Sequence, residues 1–253
     1  MTLSVLAPKY LPGLGLSGWE RSEDFLTGEF FGLLRYLPGN VGASLLAGAR
    51  TLENMAFADW LGEPASASQM YITLWPDLNG SIPDVRLSFV DPQGSVVADV
   101  LVEVKLYAGA SRRLDDPRHQ LARYVRGLAT EPMAERSSRP AVVYLTLERS
   151  APTAELEQAI RDAENDGGVG DVKLFWLGWY DVADALRDAE GGNAFKGFAS
   201  HEAAAFRDLR GILAARNIRT DAELERFPLP SLEPLRDVGA WLRQWPRATE
   251  VAQ

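Results

Sequence analysis

Apolar and polar positions alternate in three different rhythms along this chain, and the rhythms divide it into elements. From Ser22 to Leu37 the apolar residues Leu26, Phe30, Leu33 and Leu37 recur every three or four positions, the period of an amphipathic helix that Pro38-Gly39 ends. Ser22 suits the cap, and Glu23 and Asp24 suit the positive end of the helix dipole. A second helix is predicted from about Val41 to Trp60. The pattern then turns strand-like. Met70–Trp75 and Val85–Val90 read as strands, and the Asp91-Pro-Gln-Gly turn returns the chain as Val96–Tyr107. A helix follows over Leu114–Ala129 with Leu121, Val125 and Leu128 as its stripe. Ala141–Leu147 reads as a buried strand, Ala154–Asn165 as a helix and Val172–Trp179 as another strand. Beyond Asp181 the chain reads as helical or irregular: Val182–Ala189, Glu202–Arg216 and Ala222–Phe227, with Pro228, Pro230 and Pro234 breaking the last region. The order implies an α/β fold, a mixed central sheet flanked by helices with a helical C-terminal extension. The expected division is a core over residues 1–180 and an extension over 181–253 that packs with it or stands apart.

The 253 residues suffice for a large core, and 46% hydrophobic with 24% charged residues is the balance of a folded domain. The chain has no cysteine and only two histidines, His119 and His201, so thiolate and multi-histidine metal sites are excluded. Any metal chemistry needs oxygen ligands, which suit Mg²⁺ or Mn²⁺. Neither a signal peptide nor an apolar run of membrane-spanning length stands out, so a cytoplasmic protein is expected.

The segment Val97–Tyr107 carries the candidate chemistry. On a strand, Ala98, Val100, Val102, Val104 and Leu106 share one wholly apolar face, and Asp99, Leu101, Glu103 and Lys105 share the other. A carboxylate and an ammonium about 7 Å apart on so apolar a strand are costly unless they pair or ligate something. Asp84 opens the preceding strand, and the hairpin turn is able to carry it close to Glu103. Two carboxylates from adjacent strands with a lysine beside them make a hard-cation site of the kind phosphodiester hydrolysis needs. Asp171-Val-Lys173 and Pro76-Asp77 repeat parts of the pattern, but they fall at a glycine-rich loop mouth and in a turn.

Pro83-Asp84 followed by Glu103-Val104-Lys105 resembles the PD-(D/E)XK nuclease superfamily. Glu29 on the first helix resembles the helical glutamate that precedes the motif in many members. Gln120 and Tyr124 resemble the Q-x-x-x-Y element of the exonuclease-like branch. The resemblance covers about Ser22 to Tyr180. It implies a restriction-endonuclease-like core with a four-stranded mixed sheet. It also implies a Mg²⁺-dependent nuclease, DNA favoured over RNA, acting in restriction, phage defence, repair or a mobile element. Asp84, Glu103, the Val104 carbonyl and Glu29 would hold the metal, and Lys105 would handle the water.

The net charge of −9 opposes a polyanionic partner, but Val104–Gly127 holds six basic residues against two acidic ones. Arg112, Arg113, Arg118, Arg123 and Arg126 are therefore candidate phosphate contacts. His119 is expected on the surface, and Trp176 and Trp179 in packing rather than base stacking. A homodimer or a targeting partner is compatible with the sequence. The rival readings are a catalytically inactive nuclease-fold module that binds nucleic acid or protein, and an unrelated α/β protein whose motif is coincidence.

Overall fold

The computed structural model describes residues 23–62, 69–106, 118–131, 139–165, 167, 170–191 and 199–218. Three helices open the described chain: α1 (Glu23–Leu34), α2 (Gly39–Leu46) and α3 (Phe57–Leu61). Five strands and four further helices follow: β1 (Gln69–Leu74), β2 (Val85–Val90), β3 (Val96–Lys105), α4 (Gln120–Thr130), β4 (Pro140–Thr146), α5 (Thr153–Asn165), β5 (Lys173–Gly178), α6 (Trp179–Gly191) and α7 (Ser200–Ala215).

The strands form one mixed sheet in chain order, β1-β2-β3-β4-β5. β1, β2 and β3 run antiparallel through connections of ten and five residues, whereas β3, β4 and β5 run parallel because α4 and α5 carry the crossovers. β3 is central, and seven of its ten residues in succession, Ala98–Val104, are buried, as a strand covered on both faces must be. The fold is α/β in class, and the sheet has five strands where the resemblance implies four.

Each face of the sheet has its own core. The even-numbered residues of β3 join Val85, Leu87, Phe89, Val143 and Phe175 under α1, α2, α3, α6 and α7. Leu101, Val142 and Tyr144 meet Leu121, Tyr124, Val125 and Leu128 of α4 and Leu156 and Ala159 of α5 on the other face. The first core includes Phe206, Leu209 and Leu213, so α7 packs in the same unit as the sheet. The predicted helix Ala222–Phe227 lies outside the described residues.

Two expectations need correction. The single helix over Val41–Trp60 is two short helices, and the chain between them exchanges backbone hydrogen bonds, Arg50 N–H to Trp176 and Trp176 N–H to Arg50. That pairing with the outer edge of β5 replaces the helical ladder, and Asn54 closes the turn at φ 66°. The helix predicted from Leu114 is described from Gln120 on, its predicted start lying outside the described residues. No helix among the described residues is long and apolar enough to cross a membrane.

Candidate active site

The site arises where two paired strands have unequal lengths. Val85 of β2 stands opposite Val102 of β3, so β3 runs on for three residues after β2 has turned away. Even-numbered β3 residues aim their N–H and C=O groups toward β2, while Leu147 N–H binds the Lys105 carbonyl from the β4 side. The N–H groups of Val104 and Leu106 thus face an edge without a strand. Buried amides must find acceptors, and two carboxylates supply them. Asp84 Oδ2 accepts from Val104 N at 2.9 Å, and Glu23 Oε2 accepts from Leu106 N at 2.9 Å. The Val104 carbonyl opens onto the same gap.

Asp84 is fixed by its own backbone, whose carbonyl accepts from Trp75 N at 2.9 Å and prolongs the β1–β2 pairing. Burial above all, then the charge of Glu103, pushes its carboxyl up to about 7. The charges of Asp84 and Glu103 act on each other.

Glu103 points to the α4 face and is only 1% exposed. Its Oε1 accepts from Gln120 Nε2 at 2.7 Å and meets Lys105 Nζ at 2.8 Å, and its Oε2 accepts from Tyr124 O–H at 2.9 Å. Tyr124 also bonds the Ile82 carbonyl at 3.2 Å, tying α4 to the segment that carries Asp84. Gln120 and Tyr124 meet Glu103 together because positions i and i+4 share one helix face. Burial raises the Glu103 carboxyl above its ordinary range against the pull of Lys105 and Tyr124. The Tyr124 hydroxyl is raised too, by burial and then by Glu103. Lys105 is the reverse case. Burial works to lower it, but Glu103, Glu23 and Asp84 outweigh that and hold it above the usual lysine value. It is a firm ammonium.

Glu29 is not in this cluster. Its Oε2 pairs with Arg216 Nη2 of the α7 C-terminal turn at 2.9 Å. The acid that α1 does deliver is Glu23, whose Oε1 lies 3.1 Å from Lys105 Nζ. At about 100° per residue, Leu26, Phe30, Leu33 and Leu37 define a stripe that Glu23 and Glu29 flank on opposite sides. β3 lies on one side and α7 on the other. The signal that finds Glu23 is its place one turn before Leu26, where the stripe continues with an acid.

The basic strip is also revised. Arg123 is buried to 9% exposure and donates to the Arg118 carbonyl at 2.8 Å, so it closes the first turn of α4 and does not reach for phosphate. Arg118 is half-buried, Arg126 is exposed, and Arg112 and Arg113 lie outside the described residues. His119, expected on the surface, is 3% exposed and caps α4. Trp176 packs at the rim and donates to Thr146 Oγ1 at 2.9 Å, while Trp179 is buried edge-on against Phe30. Lys173 and Asp171 are exposed at the opposite end of the parallel strands, and Asp77 accepts from Gly80 N in a turn.

A second buried acid on the same face serves as a contrast. Asp99 is ringed by Arg86 and Ser88, and Arg86 is shared with Glu131 at the end of α4. Its charge is answered within the fold, whereas the Asp84 carboxyl sits raised beside a second acid.

Carboxylate and carbonyl oxygens are the donor type that a small hard cation takes. Asp84 bonds the backbone of Val104 next to Glu103, and two carboxylates raised by burial gain from a nearby positive charge. Three donors on Glu103 leave about one of its four lone-pair directions open. No group of three acidic or histidine side chains among the described residues encloses a metal, so the remaining ligands would be water and substrate, as Mg²⁺ commonly takes them. Comparisons of the chain with family models, with curated proteins and with solved structures found no match in any of the three.

Proposed function

We propose that this chain is a metal-dependent nuclease with a restriction-endonuclease-like core, acting on DNA in preference to RNA. The observation that carries the reading is the meeting of Asp84, Glu103 and the cationic Lys105 at the overhang of β3, with Gln120 and Tyr124 closing on Glu103. Mg²⁺, with Mn²⁺ as a substitute, would be held by Asp84, Glu103 and the Val104 carbonyl. When bound, it would polarise the scissile phosphate and supply a more acidic water.

The rest falls to the side chains. Lys105 keeps its proton, so it acts as a charge and a donor, orienting the attacking water or steadying the negative charge that grows on phosphate. Gln120 and Tyr124 fix Glu103 in one rotamer, and Glu23 holds Lys105 from the far side. A strand of nucleic acid entering the gap would meet Lys105 first, since Glu103 is the more deeply buried of the two.

A second reading is a nuclease-shaped module that binds without cutting, and the three donors already gathered on Glu103 favour it. Plasmid nicking in Mg²⁺, with and without chelator, separates the two. Lys105→Ala is expected to slow cleavage about a hundredfold or more. Equal rates in variant and parent would sink the nuclease reading. Calorimetry with Mn²⁺ adds a test free of turnover: binding is expected, and Asp84→Ala is expected to abolish it.

A further inference from the structure

His119 stands immediately before α4, where its side chain and backbone N–H meet three neighbours that bear on the helix. Its Nδ1 accepts from Leu121 N at 3.3 Å, its backbone N–H donates to Asp162 Oδ2 at 2.8 Å, and its Nε2 lies 3.4 Å from Glu155 Oε1. Those acids are themselves held by α5 and β4. Gln158 Nε2 donates to Asp162 Oδ1 at 2.5 Å, and Tyr144 O–H donates to Glu155 Oε2 at 3.2 Å. The ring therefore caps α4, while the backbone N–H of His119 ties that terminus to α5. Serine, threonine, aspartate or asparagine normally fills a cap position. Histidine here caps the helix through Nδ1, and its Nε2 lies beside Glu155.

The residue after the cap is Gln120, whose side chain binds Glu103, and one turn later comes Tyr124, which binds the same carboxylate. Both depend on the rotation and depth at which α4 begins. We propose that His119 is a positioning residue, setting the first turn of α4 so that Gln120 and Tyr124 meet Glu103. A cap that accepts the Leu121 N–H requires an unprotonated Nδ1, so the ring is neutral with its hydrogen on Nε2, toward Glu155. For its effect on turnover the inference rests on the nuclease reading. Its effect on Gln120 does not.

Nitrogen-15 spectra of the full chain test it directly. In the parent protein the His119 ring is expected in the Nε2–H tautomer, and the Nδ1–H tautomer would overturn the proposal without any variant. The Gln120 side-chain amide is expected to move to the position of a solvated glutamine in His119→Ala, and to keep its bonded position in His119→Asn, which retains a capping oxygen. Leu156→Ala, a core substitution on α5, controls for lost stability and is expected to leave the Gln120 signal in place. Cleavage is expected to fall about ten- to a hundredfold in His119→Ala with KM little changed, and largely to return in His119→Asn. A Gln120 signal unmoved in His119→Ala, or lost equally in His119→Asn, overturns the positioning role. If no form of the protein cleaves nucleic acid, the Gln120 signal still decides it, and the reading that fails is the nuclease.

Discussion

Glu23 and Glu29 stand six positions apart on α1, and the helix gives them different neighbours. Glu29 bonds the mostly buried Arg216, so Glu29→Ala is expected to cost about 1–3 kcal/mol in urea unfolding and, on the nuclease reading, to leave cleavage intact. Glu23→Ala removes a partner of Lys105 and the acceptor of Leu106 N–H. It is expected to slow cleavage measurably, and unchanged turnover would remove Glu23 from the site. The acids also fix a pH dependence. Asp84 titrates near 7 in the fold and near 4 in the unfolded chain, so between those values the folded state holds more protons. Its raised carboxyl therefore costs stability that grows as pH rises through this window and is fully present above it. Without metal, Asp84→Asn is expected to gain about 1–3 kcal/mol over the parent at pH 8 and far less at pH 5. Urea unfolding in chelator at both pH values checks this, and a gain independent of pH would contradict it. At this scale Asp84, Glu103 and Lys105 were legible because strand alternation and a hairpin suffice to place them. His119 and Arg123 were not, since their roles depend on which carbonyl, amide or acid lies beyond their own element.

Between elements, α4 depends closely on the connection from β1 to β2. Gly127 leaves space that Leu78 of that connection fills, so a β-carbon at 127 would collide with the Leu78 side chain. Gly127→Val is expected to destabilise the fold by about 1–3 kcal/mol. It should also weaken cleavage beyond what the lower stability explains, because lifting α4 draws Tyr124 from both Glu103 and Ile82. Thermal melts paired with nicking rates at a temperature where both proteins are folded provide the measurement. Proportionate loss in the two would argue against the coupling. The strands were readable as elements because β3, β4 and β5 are apolar runs bounded by turns. The break between α2 and α3 was hidden because its cause is a partner distant in sequence, Trp176, and periodicity reports only local order.

At the scale of the molecule, the described part of the C-terminal region belongs to the core. Phe206, Leu209 and Leu213 are buried against the layer that holds α1, and α1 in turn supplies Glu23. Burying each such side chain contributes about 2 kcal/mol, so together they approach the whole net stability of an ordinary domain. A chain ending before Ser200 is expected to lose cooperative unfolding in calorimetry, and a sharp transition near the parent's would show that α7 is dispensable. The sequence showed α7 as a helix but not its target, because an amphipathic stripe states that a face is buried without saying against what.

The mismatch in length between β2 and β3 carries a cost for any effort to toughen this protein. A sheet built for robustness would extend β2 until every amide of its neighbour had a backbone mate, and the acids would have no reason to be there. Selection for heat tolerance alone should therefore drift toward neutral residues at position 84, yielding hardier proteins in which this corner has been sealed.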